Sequence, residues 1–138
     1  MTTKAERPAR FSYASSLRLK KRWEFDAVFR TGRQQRGELV RMYFLPAEEA
    51  NTRFGVAVGK KVANAVMRAR GRRMLRESLR RLAPWVKGGH WVVFSLRERA
   101  LPLKAHDVYK DVARVLVRSS LLDENWTGPD WSVDAASQ

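Results

Sequence analysis

The thirty residues RFGVAVGKKVANAVMRARGRRMLRESLRRL, Arg53 to Leu82, change periodicity partway, and that change decides the fold. In Arg53–Gly59, Phe54, Val56 and Val58 alternate with Gly55, Ala57 and Gly59, the period of a strand. Small residues on one strand face let something approach the backbone closely, either a packed helix or a ligand. From Asn64 onward the period is helical. At about 100° per residue, Met67, Gly71, Met74, Leu75, Ser78, Leu79 and Leu82 fall within an arc of roughly 140°. Arg70, Arg72, Arg73, Arg76, Arg80 and Arg81 fill the opposite arc, with Arg68 at its border, and Pro84 ends the segment. So wide an apolar stripe seats a helix on a sheet and turns the arginines outward.

The neighbouring segments supply that sheet. Leu39–Leu45 alternates Leu39, Arg41, Tyr43 and Leu45 with Val40, Met42 and Phe44, closes at Pro46, and is followed by a polar turn at Glu48–Thr52. His90–Leu96 is rich in β-branched and aromatic residues and reads as a third strand. Trp23–Arg30 reads as a short helix with Gly32 as its stop. Pro102 opens a last helix whose stripe is Val108, Val112, Val115 and Leu116, ending near Ser119. The fold class is α+β: an α-β sandwich with one sheet, in the order αββαβα, with allowance for an extra short strand. Residues 1–16 are expected to be a flexible basic arm, 17–122 the folded domain, and 123–138 an acidic, disordered tail.

A chain of 138 residues with 44% apolar residues suits one domain. Twenty-eight Lys and Arg against fourteen Asp and Glu leave a net charge of +14. The last sixteen residues carry four acids (Asp123, Glu124, Asp130 and Asp134) and no base, so the remainder carries +18. Self-repulsion of that size points to a polyanionic partner. There is no cysteine, so disulfide-linked partners and thiolate metal sites are excluded. The sequence lacks an apolar run of membrane-spanning length and an apolar signal segment, so a cytoplasmic protein is expected.

Lys60–Arg81 holds nine bases and one acid, Glu77. A solvated helix face normally mixes signs so that i, i+4 pairs support it, whereas these arginines repel one another. A membrane-surface helix would carry bulky apolar anchors, and this one has core-like Met, Leu, Gly and Ser. Phosphate binding remains: Arg68 to Arg80 spans about 18 Å of helix, and the planar guanidinium binds phosphate oxygens bidentately. The aromatics add a second theme. Phe25 and Phe29 share a helix face, and Tyr43 shares a strand face with Arg41. If that face adjoins Gly55, Ala57 and Gly59, the result is an aromatic-walled trough suited to a single strand, whose bases stack on rings. The alternative, that both phenylalanines are ordinary core, stands open on the pattern alone.

Arg18-Leu19-Lys20-Lys21, then Glu24-Phe25-Asp26-Ala27-Val28-Phe29 and Gly32, together with Arg53–Val66 running into Met67–Glu77, resembles the bacterial ribonuclease P protein family over roughly Arg18 to Ser120. The resemblance implies an α-β sandwich with a left-handed βαβ crossover, against the usual right-handed rule. It implies a ribonucleoprotein that removes the 5′ leader of precursor tRNA by hydrolysing one phosphodiester bond. The RNA subunit would hold Mg²⁺ and do the chemistry, with no cofactor bound by the protein alone. By position, Phe25, Phe29, Arg41, Tyr43, Gly55, Ala57 and Gly59 would contact the leader. Lys60, Lys61, Asn64, Arg68, Arg70, Arg72, Arg73 and Arg76 would face the catalytic RNA. The sequence departs from the family pattern at Ala69 (usually Asn), at Gly71 (usually larger), at Gly59 (often Ser) and at Arg72 (usually Lys). Gly71 is expected to cost the helix about 1 kcal/mol relative to Ala.

The chain shows no catalytic constellation of its own. His90 and His106 belong to different elements, and the adjacent Glu48 and Glu49 read as a solvated turn. A protein-only nuclease would bring several Asp, Glu or His together. The alternative function is a non-enzymatic RNA-binding protein, such as a ribosomal protein or an RNA chaperone.

Overall fold

In a computed structural model, which describes residues 15–61 and 63–131, the switch of periodicity at Asn64 is a switch from strand to helix. The elements are α1 (Arg22–Thr31), β1 (Arg33–Arg36), β2 (Val40–Pro46), β3 (Arg53–Ala57), α2 (Ala65–Leu82), β4 (His90–Leu96) and α3 (Ala105–Arg118). The expected arm lies outside the described residues as far as residue 14. The extra short strand is β1, whose Arg-Gln-Gln-Arg carries no apolar alternation to announce it. The strand expected over Arg53–Gly59 is β3 and ends at Ala57, so Gly59 lies beyond it.

The four strands form one mixed sheet in the order β1-β2-β4-β3. β1–β2 and β2–β4 are antiparallel, while β3 and β4 are parallel and joined through α2. β4 thus lies between the two strands read first. The free edge of β3 is covered by the chain entering α1: Arg18 pairs with Phe54, and the Leu19 N–H donates to the Phe54 carbonyl at 2.7 Å. A covered edge removes a template for unwanted strand pairing.

The register sorts the side chains into rows. On one face lie Gln35, Met42, Phe94 and Val56, flanked by Arg33, Phe44, Val92 and Phe54 and by Val40 and Leu96. α2 and α3 close over this face with Leu75, Leu79, Leu82, Val108, Val112 and Leu116, and Val40, Met42, Val92 and Phe94 are fully buried. Each such side chain contributes up to about 1.5–3 kcal/mol by leaving water. Gly71 is part of this contact. A Cβ there would sit 2.9 Å from a Leu96 methyl and 3.1 Å from a Val58 methyl, so glycine lets α2 approach the sheet. The helical penalty expected at Gly71 is offset by this closer packing.

Two buried carboxylates tie elements together. Asp111 of α3 accepts the N–H groups of Leu39 and Val40 at 2.8 and 3.0 Å and a bond from Arg114 at 2.8 Å, which holds the β1–β2 turn. Glu24 accepts the N–H groups of Lys20 and Lys21 at 2.8 and 2.9 Å and pairs with Arg53 at 2.9 Å, which locks α1 to β3. Burial alone would raise the Glu24 pKa. The two backbone donors and Arg53 outweigh burial and hold it below the ordinary value.

The tail expected to be disordered from Asp123 is packed as far as Trp131. Asp123 is buried, its N–H donates to the Trp85 carbonyl at 2.8 Å, and Leu122 bridges Val86. Trp126 and Trp131 lie against the core, where Trp131 meets Tyr109 and His106 with ring centroids 5.4 Å away in each case. Apolar contact of two tryptophans outweighs the acidic composition that suggested disorder. Residues 132–138 lie outside the described residues.

Candidate nucleic-acid interface

The other face of the sheet carries three rows: Leu45, Trp91 and Arg53; then Gln34, Tyr43, Val93 and Gly55; then Arg36, Arg41, Ser95 and Ala57. Helix α1 has ten residues and covers only part of this surface. Its Val28 packs with Val93 and Leu19 in a small second core, with Phe25, Tyr43, Leu45, Ala57 and Trp91 around it. The third row is left as the floor of a trough walled by Phe25, Phe29 and Tyr43.

The face holding Tyr43 and Arg41 does adjoin the face holding Gly55 and Ala57, through Val93 and Ser95 of β4. The floor at Gly55 is not open, however. A Cβ there would lie 2.5 Å from the Phe25 ring, so the glycine exists to seat Phe25. The two readings of the phenylalanines therefore separate by residue. Phe25 is half-buried packing, whereas Phe29 is 40% exposed with its ring edge against Tyr43 at 4.9 Å and 75°. At Gly59 nothing lies within 4 Å of an added Cβ, so that end of the trough is open to solvent. Lys60 and Lys61 follow, both exposed, at the corner leading to α2. Trp23 sits on the opposite flank of α1, 60% exposed and tilted against Trp91 at 5.6 Å.

Arg36 and Arg41 are the charged groups of the floor, and Arg41 is the more enclosed. The Arg41 Nε is buried and has no hydrogen-bond partner among the described residues. A buried donor left unpaired costs roughly 1–3 kcal/mol, so an acceptor supplied from outside would be stabilising. Ser95 and Arg36 were missed by sequence reasoning. The alternation of His90–Leu96 places Ser95 opposite Val92 and Phe94, but only the strand order puts it beside Arg41. Arg36 gave no signal, because β1 itself was illegible.

The basic helix is less uniform than its sequence. Arg73 and Arg76 are exposed, and Arg72 is half-exposed. Arg70 turns toward the loop before α3 and donates to the carbonyls of Leu101 and Leu103 at 3.1 and 2.5 Å. Arg68 donates to the Ala63 carbonyl at 2.8 Å. Asn64 is the N-cap of α2, its side-chain oxygen accepting the Met67 N–H at 2.9 Å. Arg81, expected on the outward arc, is 5% exposed, ion-paired to Glu77 and lying 3.5 Å from the centre of the Trp131 ring. It sits at the border of the apolar stripe, where the packed tail covers it. Arg80 also pairs with Glu77, at 2.5 Å. Burial would raise the Glu77 pKa, but hydrogen bonds from Arg80 and Arg81 lower it. The solvent-facing charge is thus concentrated at Arg72, Arg73 and Arg76, with Lys60 and Lys61 between them and the trough.

Glu49, read as solvated, accepts the Trp91 Nε1–H at 2.7 Å and pairs with Arg53 at 3.3 Å. Among the described residues no group of three or more His, Asp or Glu could hold a metal ion, and no helix is long and apolar enough to cross a membrane. A cavity of about 480 Å³ between Leu17, Thr52, Pro84 and Lys87 shares no residue with the trough.

Residues 13–120 match the family described as Ribonuclease P. A ribonuclease P protein component of an Exiguobacterium species is 38% identical over 104 residues, covering 75% of this chain and 90% of the relative. That of Symbiobacterium thermophilum is 34% identical over 108 residues, covering 78% and 94%. Among solved structures, the RNase P protein of Staphylococcus aureus aligns with a TM-score of 0.69 at 21% identity, covering 78% of this chain and 98% of that one. The Thermotoga maritima protein gives 0.66 at 24% identity, covering 73% and 96%. These two likenesses bear on the fold.

Proposed function

The chain belongs to the ribonuclease P protein family, and from that premise we propose how its two surfaces divide the work of the ribonucleoprotein. It is the protein subunit of an endoribonuclease of tRNA 5′ maturation, and its partner is the ribonuclease P RNA. The outward side of α2, with Arg72, Arg73 and Arg76, takes the phosphates of that folded RNA. The trough of Phe29, Tyr43, Arg41 and Ser95 takes the single-stranded leader of precursor tRNA. The observation that carries the second assignment is Arg41, half-exposed on the trough floor with a buried Nε–H that has no partner among the described residues, beside the edge-to-face rings of Phe29 and Tyr43. Mg²⁺ is assigned to the RNA subunit, and the reaction to the cytoplasm, where precursor tRNA is found.

Bases in a trough stack on aromatic rings for roughly 1–3 kcal/mol each, and leaderless tRNA forgoes that contact. Reconstitution tests the whole reading. With a bacterial ribonuclease P RNA at low Mg²⁺, the protein should promote cleavage of precursor tRNA, and Tyr43→Ala should weaken binding of leader-bearing precursor more than of mature tRNA. Failure to promote cleavage would return the chain to the class of non-enzymatic RNA-binding proteins. Equal losses for the two tRNAs would remove the leader from the trough.

A further inference from the structure

β1 pairs with β2 so that Arg36 stands directly opposite Arg41. Residues directly opposite in an antiparallel pair project from the same face with Cβ atoms about 4.5–5.5 Å apart, and like charges there are destabilising. Among the described residues neither arginine is ion-paired to a carboxylate. Glu38, in the adjoining turn, pairs with Arg99, and Asp111 is occupied by the turn amides and Arg114. The Arg36 backbone is pinned by Arg118, whose Nη1 donates to its carbonyl at 3.1 Å, so the strand is held in the register that opposes the two charges. The Arg41 Nε is buried without a partner among the described residues. A free protein that keeps two cations face to face, one of them partly desolvated, has a site shaped for an anion.

We propose that Arg36 and Arg41 form a two-arginine clamp for one phosphodiester of single-stranded RNA, at the β1 end of the trough. The row Arg36, Arg41, Ser95 and Ala57 crosses all four strands, about 14 Å at the usual strand spacing, and leads toward Gly59 and Lys60. A strand held by its phosphate at Arg36 and Arg41 places the adjoining base beside Tyr43 and Phe29. The clamp sets the register in which leader nucleotides meet the rings. This deepens the leader assignment above and rests on it. Two planar forks suit a phosphodiester better than a carboxylate ligand, because each can engage a separate non-bridging oxygen.

The test uses the full chain, a ten-nucleotide single-stranded RNA, and leader-bearing and leaderless tRNA bound to the reconstituted holoenzyme. Arg36→Gln should raise the urea midpoint of the free protein at low salt, the gain fading toward 1 M salt as screening removes the repulsion. The same variant should weaken the oligonucleotide about ten-fold, as expected for loss of one charge-assisted bond, and make its salt dependence shallower by about 0.7. Leaderless tRNA should bind unchanged. Arg36→Glu, which creates an opposite-charge pair with Arg41, should stabilise the free protein further and bind leader worst of all. This opposition of signs is what a merely structural arginine does not produce. If Arg36→Gln lowers the midpoint, or leaves leader affinity and its salt slope unchanged, the clamp is wrong. Tyr43→Ala separates the two levels: loss of leader binding in Tyr43→Ala alone overturns only the clamp, whereas no loss in either variant overturns the leader trough itself.

Discussion

The two faces of the one sheet are built from alternate residues of the same strands, yet they serve opposite ends. The face of Val40, Met42, Val92 and Phe94 is sealed by eighteen-residue α2 and fourteen-residue α3. The face of Arg41, Tyr43, Val93 and Ser95 is covered by ten-residue α1 alone, which seals Val93 and leaves Arg41, Tyr43 and Ser95 half-exposed. A sheet of this size has stability from one closed face, so the second can carry cations and rings that would weaken a core. Incompleteness of α1's cover is what leaves the trough open. It depends on the length of a helix as much as on the residues beneath it.

Damage to the sealed face should have the largest effect on stability. Phe94→Ala should cost about 3–5 kcal/mol by leaving a cavity, read by urea denaturation, with RNA binding lost only through unfolding. A stable Phe94→Ala variant with impaired leader binding would mean the faces are not independent.

Glu24 lies at the boundary, fastening α1 over the open face. Glu24→Gln should cost about 1.5–3 kcal/mol at neutral pH, since it removes a buried charge-assisted bond to Arg53. The Glu24 pKa is lowered on folding from an ordinary value of 4.5, so its contribution is complete above that value. It is lost as pH falls through the lower folded pKa. The gap between wild type and Glu24→Gln should therefore be full at pH 7 and close in acid. A gap that persists at pH 2 would remove the charge from the explanation.

On the open face the balance should invert. Phe29→Ala should leave stability nearly intact while weakening leader-bearing precursor by roughly 1–3 kcal/mol, the value of one stacked base. If thermal stability falls more than leader affinity, Phe29 belongs to the small core. The smallest effects should sort the arginines of α2. Loss of Arg73 or Arg76 should reduce the salt slope of RNA-subunit binding by roughly 0.7–0.9 each. Arg81→Ala should leave that slope unchanged and lower stability, because its guanidinium is spent on Glu77 and Trp131. Equal slopes for all three variants would dissolve the division between outward and inward arginines.

Much of this was legible in the residues. Alternation in 53–59 and in 39–45, and the arc of Met67, Met74, Leu75 and Leu79, described real strands and a real helix to within one or two residues at most ends. Binary pattern records which face is buried, and burial is what makes those elements. The trough was legible in outline, because Tyr43 and Gly55 each face away from the main core. What escaped were features set by neighbours distant in sequence. β1 has no pattern of its own, since both its faces are polar, and it exists through pairing with β2. Arg70 and Arg81 share residue type with the outward arginines but are diverted by two loop carbonyls and by Trp131. The acidic segment after Leu122 has the composition of a solvated tail and is nevertheless held by Trp126 and Trp131.

The amino-acid sequence alone carries an α+β domain, a surplus of positive charge with seven arginines on one long helix, and the family to which the chain belongs. Those follow from periodicity, composition and local motif, all properties of short stretches. The tertiary structure alone decided that β4 stands between β2 and β3, that Phe25 fills the space above Gly55, and that Arg36 confronts Arg41. Each is a choice of partner across the chain, and the energies that make it, packing and charge at a few ångströms, are not written in any one segment.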